Sequence, residues 1–338
     1  MKAVALQFFN RTGMQWGVPW VKLIAGDNAG SQLKIIAKNI LIPIFSITLF
    51  LSMWSFGASK IETSLGQVPG PTKVWEQAKD LWKQHLAERE KAKQFYIRQE
   101  TRRQALLAQN PAAVIETIRY TGKSTYLDQI LTSLKTVFLG FIIASLIALP
   151  LGIVAGYSKT FMKAINPYVQ IFKPVSPLAW LPIVTMIVSA VYADNNGYFA
   201  KSFIISAFTV SLCSLWATLI NTALGVASVN SDYINVAKVL QLSPMKKTMK
   251  VVLPATLPLI FTGLRISLGV GWMVLIAAEM LAQNPGLGKF IWDEFQNGSS
   301  QSLANILVAV FTIGIIGFML DRIMVRLQRA VSFERAAI

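Results

Sequence analysis

Residues 136–158, TVFLGFIIASLIALPLGIVAGYS, run for 23 positions without a charged side chain. A helix needs about 20 mostly apolar residues to cross the hydrocarbon core of a bilayer. Four more uncharged stretches of 20 to 30 residues occur, at 39–59, 174–193, 202–231 and 295–320. A sixth apolar stretch, 251–288, carries Arg265 and Glu279. Lipid leaves no backbone polar group unpaired, so spans this apolar are helices. The sequence therefore predicts an all-α membrane protein with about six transmembrane helices.

Composition excludes several other classes of protein. Of 338 residues 54% are hydrophobic and only 14% are charged, against about 25% charged in a typical soluble domain. This balance excludes a disordered chain and argues against an ordinary soluble enzyme. The single cysteine, Cys213, excludes an intrachain disulfide, and the single histidine, His85, excludes a multi-histidine metal site.

The net charge of +16 could indicate nucleic acid or lysines kept beside a membrane, and its distribution favours the membrane. The candidate loops on one side hold 16 Lys and Arg, whereas the short loops on the other side hold only Lys201 and Lys289. The positive-inside rule then places both termini in the cytoplasm. Residues 58–129 hold 12 Lys and Arg and would lie outside, but long loops cross the membrane largely regardless of charge. No nucleic-acid partner is expected.

These observations predict an order of segments along the chain. The segments are a cytoplasmic N-terminal segment at 1–38, a first transmembrane helix at 39–59, an extracytoplasmic helical segment at 60–128, a core of five transmembrane helices at 129–325 that includes the basic loop 226–252, and a cytoplasmic tail at 326–338. Phe8, Phe9, Trp16 and Trp20 fit interfacial anchors of an amphipathic N-terminal segment, with a loosely ordered tail as the alternative.

The predicted outer segment begins with a helix signal at Pro71 and Thr72, followed by apolar residues at helical spacing that include His85. His85 is interpreted as a packed, hydrogen-bonded histidine, because the chain has no second histidine to share a metal. The segment could dock an extracytoplasmic partner or pack only on its own domain. The YTGKST sequence at 120–125 resembles a phosphate loop, but Thr117 replaces the required first glycine and no strand precedes it, so we expect a loop.

The most specific segment is the predicted cytoplasmic loop between the fourth and fifth predicted spans, 202–231 and 251–288. Tyr233, Val236, Ala237 and Leu240 would share one face of a short helix that Pro244 ends, and Lys246, Lys247 and Lys250 would mark the membrane surface. An apolar face in a basic cytoplasmic loop predicts a knob that binds a cytosolic partner. A helix lying in the membrane interface is the alternative.

This segment resembles the coupling loop of binding-protein-dependent ABC importer permeases, in which Glu-Ala-Ala is followed by a glycine and then by Ile-x-Leu-Pro. Here Asn235, Val236 and Ala237 take the first three positions, Gln241 takes the glycine position and Pro254 ends the motif. Ala237, Leu253 and Pro254 match the pattern, whereas Asn235 and Gln241 depart from it. Most of 125–330 further resembles the nitrate, bicarbonate, sulfonate and taurine permeases, closest to the nitrate and bicarbonate branch.

The resemblance implies a type I ABC importer permease fold with a cytoplasmic coupling helix, in the bacterial inner membrane. It implies a second permease copy, cytoplasmic ATP-binding subunits that hold ATP and Mg, and an extracytoplasmic solute-binding protein as partners. The chain itself would be no enzyme and would carry no cofactor. The coupling residues implied are Tyr233, Asn235, Val236, Ala237, Leu240, Gln241 and Pro254. The expected solute is a small anion, with nitrate first and bicarbonate, cyanate, sulfonate or taurine as alternatives.

Arg265 and Glu279 are the charges predicted within the sixth stretch, and intramembrane charges mark candidate functional sites. Arg265 lies 11 residues after Pro254, about 16 Å along a helix, and therefore near mid-membrane. It could contact an anion in the solute path or brace the helices. Glu279 lies near the outer end, where it is a candidate path residue acting as a gate or a packing carboxylate. Gly152 and Gly156 form a GxxxG pair that predicts close helix packing.

The sequence leaves two alternatives to an ATP-driven importer. An ion-coupled secondary transporter usually needs titratable groups within the membrane, and this chain offers only Glu279 and Lys135 near the edges. A membrane scaffold would use the 58–129 segment to bind a partner. Co-purification with an ATPase would separate the importer from both alternatives.

Overall fold

The computed structural model describes residues 18–26, 28–63, 66–110, 117–192, 199–299 and 301–331. Three of the predicted anchors, Phe8, Phe9 and Trp16, lie outside the described residues. The predicted C-terminal tail is described only as far as Val331. The chain divides into two units, Met1–Trp75 and Glu76–Ile338.

The first unit contains the predicted first span. Helix α1 covers Val18–Ile24 and helix α2 covers Ala29–Ala58, followed by a short antiparallel pair, β1 at Glu62–Thr63 and β2 at Gly66–Gln67. Helix α2 is long and apolar enough to cross a membrane, and most of its large apolar side chains are exposed. This exposure fits a helix surrounded by lipid, where outward apolar side chains are favourable. The helix begins ten residues before the predicted bound of 39.

The second unit is built almost entirely of helices. Helix α3, Pro71–Gln109, starts within the first unit and continues into the second. The remaining helices are α4 at Tyr126–Tyr157, α5 at Lys159–Phe172, α6 at Pro177–Val191, α7 at Lys201–Ala227, α8 at Ser231–Val239, α9 at Pro244–Lys247, α10 at Leu253–Ala282, α11 at Leu287–Asn297 and α12 at Ser302–Val331, with a π-helical turn at Thr248–Val252 between α9 and α10.

Helix α7 is the centre of this unit, packed between α4 and α10. Its small residues allow close approach, as do the glycines that face it. A Cβ on Gly152 of α4 would lie 2.7 Å from the Cβ of Thr222, and a Cβ on Gly156 would lie still closer to the Cβ of Val226. The predicted GxxxG pair therefore packs within the chain. Between α7 and α10, Ser267 Oγ lies 2.7 Å from Thr218 Oγ1, so buried hydroxyl groups satisfy one another.

The third predicted span, at 174–193, corresponds to α6, which follows α5 as the second helix of a bent pair. Pro174 and Pro177 have no backbone N–H to continue a helix, and α5 and α6 meet at an angle of 103°. Helix α6 alone has 15 residues, about 22 Å of helix rise. By length and composition the described residues thus hold five spanning helices, or six if the bent pair counts as one.

The direction of α4 and α7 indicates that the bent pair crosses the membrane. Gly140 of α4 lies against Ala207 of α7, and Gly152 lies against Leu219, so residue numbers on both helices rise toward the same end. Two successive long spans can run parallel only if the chain returns between them. A re-entrant loop would leave α7 antiparallel to α4, which the contacts contradict.

The two ends of the bundle carry different elements. Helix α10 runs antiparallel to α7. Helix α12 runs antiparallel to α10, because Trp272 Nε1 donates to the Ile313 carbonyl at 3.0 Å and Gln328 Nε2 donates to the Pro258 carbonyl at 3.1 Å. Helices α8 and α9 therefore lie at one end, with the end of α4 and of α12. The start of α4, helix α11 and the start of α12 lie at the other.

Candidate functional site

Helix α8 projects from the end of the bundle that carries the lysine cluster. Asn230 caps its first turn, with Oδ1 accepting from the Asp232 amide at 2.9 Å. Tyr233, Val236 and Leu240 are all exposed, Val236 by 58%. The apolar face predicted from the sequence therefore exists and is open.

Ala237 does not lie on that open face. It is only 1% exposed, because the inward edge of α8 packs on the π-helical turn at Thr248–Val252. The prediction that Ala237 belongs to the same accessible surface as Tyr233 and Val236 is thus corrected. Its small side chain is what lets α8 sit close to the turn. Asn235 and Gln241, also predicted in this set, are exposed.

A groove of about 660 Å³ runs beside α8 and receives side chains from two elements. Tyr233 and Val236 form one wall, and Lys250, Pro254 and neighbouring apolar residues form the other. The fold thus brings together three of the predicted coupling residues, separated in sequence by about 20 positions. Asn235, Leu240 and Gln241 lie outside this groove.

The end of α8 explains why the family pattern has glycine at the position of Gln241. The Gln241 amide donates to the Lys238 carbonyl at 2.9 Å, and the Leu242 amide donates to the Ala237 carbonyl at 3.1 Å. These two bonds form a Schellman cap, whose residue after the cap adopts a left-handed conformation. Gln241 has φ of 48°, a region where glycine is favoured and other residues are strained.

Pro244 begins a helix, although the sequence predicted that it ends one. Helix α8 has already ended at Val239, and Ser243 caps α9, with its Oγ accepting from the Lys246 amide at 3.4 Å. The helical chain then continues through the π turn into α10. Pro254, with no N–H and a ring that crowds the preceding turn, is the second residue of α10, two residues after the π turn ends at Val252.

Arg265 on α10 forms a bidentate ion pair with Asp321 on α12. Its Nε donates to Oδ1 at 2.5 Å and its Nη2 donates to Oδ2 at 3.1 Å. The two side chains are 41% and 34% exposed beside a small cavity of about 200 Å³. This geometry is the fork that a planar guanidinium makes with a carboxylate. It gives the bracing role a definite partner, and the anion-contact role stays a prediction.

Glu279 is enclosed by protein at the opposite end of α10, with no exposed surface. Ser133 Oγ on α4 donates to its carboxylate at 2.7 Å, and the Gly288 amide at the start of α11 donates at 3.1 Å. Gly286 lies so close to the carboxylate that a Cβ there would collide with it. A group without accessible surface cannot line an open path in this conformation. Of the two predicted roles, packing therefore fits the geometry.

The predicted outer segment is a hairpin in which residues 117–125 return along α3. Tyr120 Oη donates to Glu88 Oε1 at 2.7 Å, and the Lys123 amide donates to the same atom at 3.2 Å. The hydrogen bond from Tyr120 lowers the pKa of Glu88, and the same bond raises the pKa of Tyr120. His85 Nδ1 lies 2.7 Å from Thr125 Oγ1, so its prediction as a hydrogen-bonded packing residue is confirmed. The YTGKST sequence forms an extended strap.

Two functional partners escaped sequence reasoning. In the sequence Asp321 is only the charged residue that ends an uncharged stretch, 56 residues from Arg265. Ser133 lies 146 residues from Glu279 and is one of many serines in apolar surroundings. An unexplained charge near the end of a span was the one signal available for Asp321. Ser133 had none.

A family model described as the binding-protein-dependent transport system inner membrane component matches residues 148–333, more than half of the chain. The chain belongs to this family. The matched region contains α8, its groove, Arg265 and Glu279, and begins after the hairpin of α3 and residues 117–125.

Curated relatives place the chain in the nitrate and bicarbonate branch of ABC importer permeases. The nitrate import permease protein NrtB of Synechococcus elongatus is 38% identical over 204 residues, which are 60% of this chain and 69% of that protein. The bicarbonate transport system permease protein CmpB of the same organism is 41% identical over 202 residues, 60% of this chain and 68% of that protein. The two substrates named for these relatives are not separated by this similarity. Relatives of this kind are permease subunits, which are not themselves enzymes.

A solved structure supports the fold. An inward-facing conformation of the MetNI methionine ABC transporter matches with a TM-score of 0.54 at 14% identity, over 61% of this chain and 95% of that chain. The helical permease fold predicted from the sequence is confirmed. The family and the apolar helices together show that the chain is a multi-pass inner-membrane protein.

Proposed function

We propose that this chain is the membrane subunit of an ATP-driven importer of a small oxyanion, nitrate before bicarbonate. The observation that carries the proposal is the open apolar face of α8 beside its groove at the lysine-rich end of the bundle. Tyr233 and Val236 offer apolar contacts to a cytosolic partner, and Lys250 at the groove rim marks the membrane surface. Nitrate and bicarbonate are both small planar oxyanions, and both relatives' names support this substrate class. Cyanate, sulfonate or taurine remain alternative solutes for the same class of transporter.

The partners follow from the family. Cytoplasmic ATP-binding subunits would bind ATP and Mg and dock on α8, a second permease copy would complete the path, and an extracytoplasmic protein would deliver the anion. Both termini would then be cytoplasmic. The basic clusters beside α8 and after α12 support this orientation.

The decisive test is import into proteoliposomes that contain the assembled complex. We expect uptake of labelled nitrate to require ATP and to stop when ATP is removed while ion gradients are kept. Uptake that survives without ATP would favour an ion-coupled transporter. Competition by bicarbonate, cyanate and taurine would rank the solutes, and preferred uptake of bicarbonate would replace nitrate as the proposed substrate.

The role of α8 has its own test. Val236→Asp places a charge in the exposed contact face and should uncouple ATP hydrolysis from import while the subunit still assembles. Asp232→Asn, which changes an exposed charge in the first turn of the same helix, is the matched control. Cysteine crosslinks from α8 that never reach the ATPase in any nucleotide state would contradict the docking role.

The orientation can be tested separately. Protease added to right-side-out spheroplasts should cleave the charged stretch at 88–103 of the hairpin. Cleavage seen only in inverted vesicles would reverse the topology and remove α8 from the cytoplasm.

A further inference from the structure

A polar cavity of about 670 Å³ lies at the end of the bundle opposite α8. Helix α3 and the strap 117–125 form one side, and α11 with the start of α12 forms the other. Seven of its lining residues are asparagine or glutamine, among them Gln129, Gln296 and Asn305. The hairpin that closes it precedes the part of the chain that the family model matches. The cavity is therefore a feature that the hairpin adds to the family fold.

Two acceptors in the wall of this cavity are buried without a donor. Asn305 is only 8% exposed, and its Oδ1 has no hydrogen-bond partner among the described residues. The same holds for Oε1 of Gln129. Native proteins rarely leave buried polar atoms unpaired, because each one has lost its bond to water. Both atoms have almost no accessible surface, so a docking N–H or O–H donor would reach them only after the side-chain amide turns toward the cavity.

The carboxylates of the cavity differ in how they are paired. Glu88 accepts from Tyr120 and forms an ion pair with Lys91, which also lines the cavity. Asp293 accepts from Lys289 Nζ at 2.7 Å. Glu294, half-buried on α11, has no ion pair within the described part of the chain. This carboxylate leaves a place for one cationic group from outside.

The lining selects among possible occupants. The lining holds three carboxylates and two lysines, Lys91 and Lys123, so its net negative charge disfavours a small anion, and the polar walls disfavour a lipid chain. Among the described residues no group of three or more metal-ligating side chains is present. A polypeptide main chain supplies regularly spaced N–H donors and C=O acceptors, which side-chain amides can pair with equally well.

We propose that this cavity is a docking pocket for an extended polypeptide segment of the extracytoplasmic solute-binding partner, with a Lys or Arg of that segment paired to Glu294. The proposal rests on the proposed function, which supplies that partner. Helix α11 forms one wall of the pocket, and its first turn is held by Glu279 to α4 and α10. A docked segment would therefore touch a helix that is tied to two core spans.

The test uses the assembled transporter in nanodiscs and the purified solute-binding protein loaded with the imported anion. ATP hydrolysis is measured as that protein is titrated. Glu294→Gln should raise the half-saturating concentration about five- to tenfold, and Glu294→Lys by more than tenfold, with the maximal rate unchanged. Glu90→Gln is the matched control, since Glu90 lies on the exposed side of α3 away from the cavity and should leave the titration unchanged.

A photo-crosslinking residue in place of Gln301, at the cavity rim, identifies the occupant directly. Crosslinks mapped by mass spectrometry to a Lys- or Arg-bearing segment of the solute-binding protein support the proposal. Crosslinks to a second permease copy or to lipid, or titrations of the Glu294 variants within twofold of the native curve, overturn it. Failure of ATP-driven import in the native complex would instead reject the proposed function, so the two failures are distinguishable.

Discussion

Replacing Arg265 separates a brace between α10 and α12 from a contact with the transported anion. The structure shows a two-bond fork to Asp321. Breaking a fully buried ion pair costs about 3–5 kcal/mol, and breaking an exposed pair costs about 0–1 kcal/mol. With side chains 41% and 34% exposed, Arg265→Gln should cost about 1–2 kcal/mol, because among the described residues Asp321 then keeps only Arg322, 4.0 Å away, as a cationic partner. Lysine lacks the planar fork, so Arg265→Lys should lose most of the same stability.

The double variant Arg265→Gln with Asp321→Asn provides the sharpest measurement. If the pair is a brace, removing both charges should recover at least half of the stability lost in either single variant. Complex yield and the thermal unfolding midpoint are measured beside import in proteoliposomes, with Arg326→Gln, an exposed arginine further along α12, as the control. One outcome would refute the brace and establish the anion contact. In that outcome every variant keeps full stability, and import is lost in Arg265→Gln and in the double variant but retained in Arg265→Lys.

Three further predictions follow from backbone geometry and from the hairpin. Gly152→Ala should destabilise the bundle by about 1–3 kcal/mol, because the added methyl group collides with α7. Gly314→Ala is the control and should not destabilise it, because open space surrounds Gly314. Equal melting midpoints for the two variants would contradict the close packing. Gln241→Gly should stabilise the α8 loop by about 1 kcal/mol by relieving its left-handed strain, seen as slower amide exchange there; faster exchange would argue against the cap. The pKa of Glu88 is lowered in the folded hairpin, so its stabilising contribution is present above the usual pKa of about 4.5 and is lost as pH falls through the lower folded value. Hydrogen exchange of the strap 117–125 should therefore rise in the native chain over that pH range. The same rise in the Glu88→Gln variant would contradict this cause.

The positions of the spanning helices could be predicted because they depend on local composition. A stretch of 20 or more uncharged residues has to form a helix in lipid wherever it lies in the fold. The same holds for the apolar face of α8, which is a matter of helical spacing within one short segment. Helix boundaries were less certain: α8 ends at a Schellman cap formed by Gln241, although the sequence pointed to the proline three residues later.

Tertiary structure alone decided which side chains meet. Ala237 shares a helical face with Val236, yet it is buried because a π-helical turn from another segment covers that edge of the face. Arg265 and Asp321 are far apart in sequence, and their pairing depends on the antiparallel contact of α10 with α12. The cavity at the end of the bundle opposite α8 likewise exists only because the hairpin returns against the start of α4. Residue types and periodicity determine which segments enter the membrane, whereas long-range pairing depends on how whole helices pack, and no local pattern records that.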